Sequence, residues 1–132
     1  MTDIKSILLV ALGGALGSVA RYLLSGLVLQ HTLHWRFPLG TFLVNIIGCF
    51  TIGVLAGLAV KDDFFSIYTR VFLFTGIIGG FTTFSAFGLE TFYLMRRGES
   101  LVAASYVTLS IFIGLLVLWF GYSIVSARHL SN

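Results

Sequence analysis

Charge is what this chain has least of. Asp and Glu number 5, Lys and Arg 8, and together they make up 10% of 132 residues, against 58% hydrophobic residues. Residues 37–60, 71–89 and 100–127 contain none of the four. A soluble domain of this length could not hide so much apolar surface, because small domains keep a large share of their surface exposed. The mean hydropathy of +1.02 points instead to a lipid bilayer as the solvent. Each charge-free run approaches or exceeds the roughly 20 apolar residues that cross hydrocarbon. A further apolar run, about 4–29, carries Arg21 within it. The expectation is an all-α membrane protein of one domain, 1–132, with spans at about 4–29, 38–60, 70–95 and 100–127. Nothing is left over for a soluble domain.

Other absences exclude whole classes of function. The single cysteine, Cys49, lies inside the second span, cannot form an intrachain disulfide, and reads as a small packing hydrophobe. No P-loop pattern is present, so nothing implies ATP use. Membrane enzymes need paired carboxylates, a metal cluster or a nucleophile with its base at depth. Here Asp62 and Asp63 fall in a loop, Glu90 is the one acid near a membrane core, and His31 and His34 are a weak pair. No enzyme is expected. The net charge of +3 is scattered among helix ends, which argues against nucleic-acid binding. Lys5, an apolar run and Ser18-Val19-Ala20 imitate a cleavable signal peptide. The apolar pattern continues past Arg21 and cleavage would leave three spans, so retention is expected.

Four spans put Lys5, Lys61, Arg70 and Arg128 on one side, and Arg36, Arg96 and Arg97, with Arg21 nearby, on the other. Loop Lys and Arg normally fix orientation, and so even a balance would barely do so. Either another feature orients the chain, or it inserts both ways up. The second case allows an antiparallel homodimer, an inverted repeat made from two chains. A chain this small hardly encloses a pathway alone, which favours the dimer. Gly13/Gly17 and Gly53/Gly57 are small-xxx-small pairs that let helices approach closely, either between subunits or within one.

Polar residues inside spans are costly and tend to face a bundle interior or an aqueous path. Thr41 and Asn45 are four apart and share a helix face, as do Tyr106 and Ser110. Hydroxyls and an amide can donate to an anion, although such groups also serve simply to join helices or to bond their own backbone. In the third span Gly79-Gly80 and Thr82-Thr83 predict a break. A break frees backbone carbonyls, which membranes tolerate only where protein or water satisfies them. Clustered carbonyls suit a small hard cation such as Na⁺. Phe84 and Phe87 follow on one face, and aromatic edges are electropositive, although ordinary packing also accounts for such a pair. Arg21 could pair with Glu90, attract anions at a vestibule, or snorkel to the interface. Trp35, Trp119 and Tyr122 read as interfacial belt residues.

GGALGSVARY (13–22), PLGTFLVNIIGCFTIG (38–53) and TGIIGGFTTFSAFGLET (75–91) occur in that order, a GTxxxN followed by a GGxTTFSxF stretch. With this pattern the chain resembles, along nearly its whole length, the Fluc (CrcB) family of fluoride channels. The resemblance implies a bacterial inner (plasma) membrane protein forming an antiparallel, dual-topology dimer of four-helix subunits. It implies two fluoride pores and a structural Na⁺ at the dimer centre, held by the carbonyls of Gly79 and Thr82. Phe84 and Phe87 would be the pore phenylalanines and Asn45 the pore amide. Ser85, Tyr106, Ser110 and Thr41 would line the anion path. Arg21 matches the family's first-helix arginine, and Glu90 its third-helix acid, of open role. The family often has FSTFS where this chain has FSAFG, so Ala86 removes a hydroxyl and Gly88 is a second departure.

The expected activity is passive export of fluoride. HF would leak inward, ionise in the cytoplasm and leave as the anion, conferring fluoride resistance. A proton-coupled dual-topology exporter needs a titratable carboxylate deep in its pathway, typically on the first helix. Here the first helix has Arg21 and no acid, and Glu90 lies toward a helix end. A non-transporting assembly subunit would leave the alignment of Thr, Asn, Phe, Tyr and Ser unexplained.

Overall fold

The computed structural model describes residues 3–60 and 64–130, without the side chains of 128–130. Lys61, Asp62, Asp63 and the Arg128 side chain, which bear on the charge balance between the two sides, lie outside the described residues. All regular structure among the described residues is helical, and four helices are long and apolar enough to cross a membrane: Ile4–His31, Leu39–Leu58, Ile67–Arg96 and Ser100–Ala127.

Helix α1 (Ile4–His31) begins where Asp3 Oδ1 accepts the Ser6 N–H at 2.9 Å, satisfying one of the donors a helix start leaves free. The other Asp3 oxygen accepts the Tyr68 hydroxyl at 2.9 Å, and Lys5 Nζ lies 4.6 Å from the centre of the Tyr68 ring. These contacts tie the start of α1 to the start of the third span. Helix α2 (Leu39–Leu58) follows Pro38, which has no N–H to leave unsatisfied at a helix start.

The third span is assembled from pieces. Ser66 caps a single turn, α3 (Ile67–Arg70), which opens into a π-helical stretch, Val71–Ile78, and closes through α4 (Gly79–Phe81). Thr82 (φ −78°, ψ 156°) and Thr83 (φ −149°, ψ 116°) are extended, and the span bends there. Two glycines and two β-branched threonines favour this, being weak helix formers. Thr83 then starts α5 (Phe84–Arg96), its hydroxyl accepting the Ala86 N–H at 3.2 Å. A turn through Gly98, at φ +76°, a left-handed conformation that suits glycine, leads into α6 (Ser100–Leu130).

Close approach of backbones holds the helices together. A methyl group at Gly13 would come within 2.8 Å of the Phe72 carbonyl, and one at Gly17 would collide with that of Ile77. Likewise a methyl at Gly53 would strike the Leu118 carbonyl, and one at Gly57 would reach 2.8 Å from that of Tyr122. Both small-residue pairs therefore work within the chain, α1 against the third span and α2 against α6. The interior is small: Leu94, Ala103 and Tyr106 form a buried cluster edged by Phe37, Phe42, Phe87 and Val102. Large apolar side chains such as Leu12, Leu101, Phe112 and Trp119 point outward, as a lipid solvent requires.

Candidate functional site

Glu90 sits on α5, facing α2 and α6. Its Oε1 accepts the Thr41 hydroxyl at 2.6 Å and its Oε2 the Tyr106 hydroxyl at 2.7 Å. Tyr106 has no exposed surface and Thr41 only 8%, so both bonds form largely away from water. Hydrogen bonds to an ionised acceptor are short and roughly twice as strong as neutral ones. The carboxylate is thus held by two hydroxyls and not by Arg21, which is half-buried on α1. The Tyr106 ring is packed between Phe37 and Phe87, with centroids 5.2 and 5.1 Å away. One turn further along α6, Ser110 Oγ is buried with no hydrogen-bond partner among the described residues.

One turn along α2 from Thr41, Asn45 grips the bend. Its Oδ1 accepts the Thr83 N–H at 2.8 Å and its Nδ2 donates to the Thr83 carbonyl at 3.1 Å. A primary amide carries two N–H donors, so one remains beyond this pair. Asn45, Cys49, Thr82, Thr83 and Phe84 line a groove of about 290 Å³. Phe84 is 84% exposed on its rim, and its ring centroid lies 5.6 Å from that of the half-buried Phe87. Ser85 is exposed, its hydroxyl 3.4 Å from that of Thr83.

The bend also redirects hydrogen bonds. In a continuous helix the Gly79 carbonyl would receive the Thr83 N–H and the Thr82 carbonyl the Ala86 N–H. The first N–H goes to Asn45 and the second to the Thr83 hydroxyl. Gly79 and Thr82 therefore lose the donors a helix would give them. Among the described residues, no three His, Cys, Asp or Glu side chains gather as a metal site, and His31 Nδ1 lies 2.8 Å from the Leu27 carbonyl.

Sequence reasoning left the Glu90 role open, and missed one feature beside it. A second pocket, about 240 Å³, opens next to Glu90 and is lined by Arg36, Trp35, Ser25, Thr32 and Thr41 among others. The signal for the Glu90 cluster was available: one acid near a membrane core, with hydroxyls in two other spans. The pocket had none, because it depends on how the 32–38 loop folds back.

Comparison with known proteins decides the family. The model described as "CrcB-like protein, Camphor Resistance (CrcB)" matches residues 8–122. The chain belongs to the CrcB family. It is 61% identical over 119 residues to a fluoride-specific ion channel of Methylobacillus flagellatus, covering 90% of this chain and 93% of that protein. A protein of the same name from Flavobacterium psychrophilum is 45% identical over 117 residues, 89% of this chain and 94% of the other. One from Chlorobium chlorochromatii is 46% identical over 126 residues, covering 96% and 95%. The CrcB match takes in the Glu90 cluster, the bend and most of α6, so the whole site lies inside it.

Proposed function

We propose that this chain is a fluoride channel, a transporter and not an enzyme, that lets the anion leave a bacterial cytoplasm passively across the inner membrane. The observation that carries this reading is a polar line through an apolar bundle: Asn45, Thr41, Glu90, Tyr106 and Ser110 beside the Phe84–Phe87 pair. The names of the relatives support fluoride as the ion.

Fluoride is small and strongly hydrated, so a path must replace its water with many modest donors. Each hydroxyl has one proton to give. Thr41 and Tyr106 spend theirs on Glu90, so an arriving anion competes with the carboxylate for them. That competition keeps fluoride from being held too tightly, as conduction requires. Ser110 Oγ, without a partner among the described residues, would donate. The Asn45 N–H beyond the Thr83 pair and the edges of Phe84 and Phe87 would add weak positive faces. Ser85 would stand at the exposed end of the line, and Arg21 at a vestibule.

The carbonyls of Gly79 and Thr82 fit a structural Na⁺, being neutral oxygens without their helical donors. Such an ion would supply local positive charge at the bend. An antiparallel dimer with two pores is part of the reading. It is supported by the exposure of Phe84 beside an open groove and by the even charge balance.

Fluoride and chloride efflux from liposomes bearing the purified protein tests this, with a proton gradient imposed or removed. Fluoride efflux indifferent to the gradient is expected. Efflux that requires counter-moving protons would favour the exporter, and no efflux would end the channel reading.

A further inference from the structure

The pocket beside Glu90 adjoins the polar line of the proposed path. It lies between the end of α1, the 32–38 loop and the first turn of α2, and Thr41 and Glu90 belong to its lining. Two of its hydroxyls are already committed: Thr32 donates to the Val28 carbonyl at 2.8 Å and Thr41 to Glu90 at 2.6 Å. Among the described residues that line it, Arg36 is the one cationic side chain, and it is exposed. Trp35 and Phe37 supply apolar walls.

That arrangement poses an electrostatic problem. An anion coming from this side meets the Glu90 carboxylate, which repels it, next to the hydroxyls it must reach. A guanidinium lining the same pocket opposes that repulsion, and apolar walls focus its field into the pocket. Arg21 and Arg97, on the same side of the chain, are not among the lining residues.

We infer that this pocket is the mouth through which small anions reach Thr41, Glu90 and Tyr106, and that Arg36 is the charge that draws them in. The inference rests on the channel reading above. A guanidinium attracts any small anion, so Arg36 sets the rate of arrival and leaves the choice of ion to the groups deeper in. It acts at a distance, through a field that salt screens.

The test is fluoride efflux from liposomes at low fluoride, in an impermeant salt at about 10 mM and about 1 M, where the Debye length is about 30 Å and about 3 Å. Arg36→Gln should lower efflux about fivefold in low salt and approach the unmodified chain in high salt. Its ratio of fluoride to chloride efflux should stay unchanged. Arg36→Lys should restore most of the loss, and Arg97→Gln should stay close to the unmodified chain at both salts. Arg36→Gln equal to the unmodified chain in low salt would overturn the inference. So would an equal deficit at both salts that Lys does not rescue, the mark of a merely structural residue. An altered ion ratio would also overturn it. Absence of efflux from the unmodified chain would instead overturn the channel reading, and this inference with it.

Discussion

Asn45 and Thr83 share a reciprocal pair of hydrogen bonds, at 2.8 Å from the Thr83 N–H and 3.1 Å to its carbonyl. One side chain on α2 thereby pairs with both backbone groups of Thr83, whose N–H the bend removes from helical pairing. In hydrocarbon an unmet backbone group has no water to turn to. Asn45 therefore has a structural duty at the bend as well as a place on the proposed path.

Asn45→Asp keeps an acceptor for the Thr83 N–H but turns the donor into an oxygen facing the Thr83 carbonyl. Loss of one satisfied bond at such a site should destabilise the protein by about 1–3 kcal/mol. Fluoride efflux should fall about tenfold or more, since the bend carries Phe84. Denaturant unfolding in detergent, paired with an efflux assay, would read both effects. A variant matching the parent in stability would refute the duty assigned to Asn45.

Glu90 and Tyr106 should be energetically coupled. Glu90→Ala leaves the fully buried Tyr106 hydroxyl without its acceptor, a loss of about 1–3 kcal/mol. Tyr106→Phe removes that hydroxyl and with it part of the penalty. The double variant should therefore fall short of the sum of the singles, by about 0.5–3 kcal/mol. Additive losses would mean that the bond seen between them contributes nothing.

Two neighbouring glycines on α1 provide a packing test. A methyl at Gly17 collides with the Ile77 carbonyl, whereas one at Gly14 meets nothing within 4 Å. Gly17→Ala should cost about 1–3 kcal/mol through overpacking, while Gly14→Ala should be neutral or slightly stabilising. Thermal unfolding of the two variants side by side would decide it, and equal behaviour would contradict the close approach of α1 to the third span.

Hydrogen bonds from Ser6 and from the Tyr68 hydroxyl hold the Asp3 carboxyl below its ordinary value of 3.8. A carboxyl lowered by folding contributes stability that is complete above the unfolded pKa and fades as pH falls through the lower folded value. The unmodified chain should therefore lose thermal stability relative to Asp3→Asn only in acid below about pH 4. A gap between the two that stays constant down to about pH 2 would rule out the Asp3–Tyr68 tie as a titrating contact.

The membrane helices were legible because a charge-free run of about 20 apolar residues is stable in little besides hydrocarbon. The weak helix formers from Gly79 to Thr83 likewise marked where the third span bends. What the sequence could not supply was pairing across helices. The i, i+4 spacing put Thr41 with Asn45 and Tyr106 with Ser110, yet it could not say that Thr41 and Tyr106 would both donate to Glu90. Nor could it say that Asn45 would spend its carbonyl and one N–H on the backbone of Thr83. Arg21 and Glu90 looked like natural partners by charge, but the carboxylate is taken up by hydroxyls. The π-helical stretch left no local mark, because it comes from how α1 and the third span fit. For the same reason Gly13/Gly17 and Gly53/Gly57 read equally well as contacts between subunits until the backbones were placed.

The central claim is that fluoride passes along the Phe84–Phe87 face, and recording fluoride and chloride efflux from the same vesicles tests it most directly. The unmodified chain should release fluoride and retain chloride. Phe84→Ile and Phe87→Ile, which keep bulk but lose the aromatic edge, should each cut fluoride efflux about tenfold or more while the protein stays folded. Equal release of both ions by the unmodified chain, or undiminished fluoride efflux from both variants, would contradict the account.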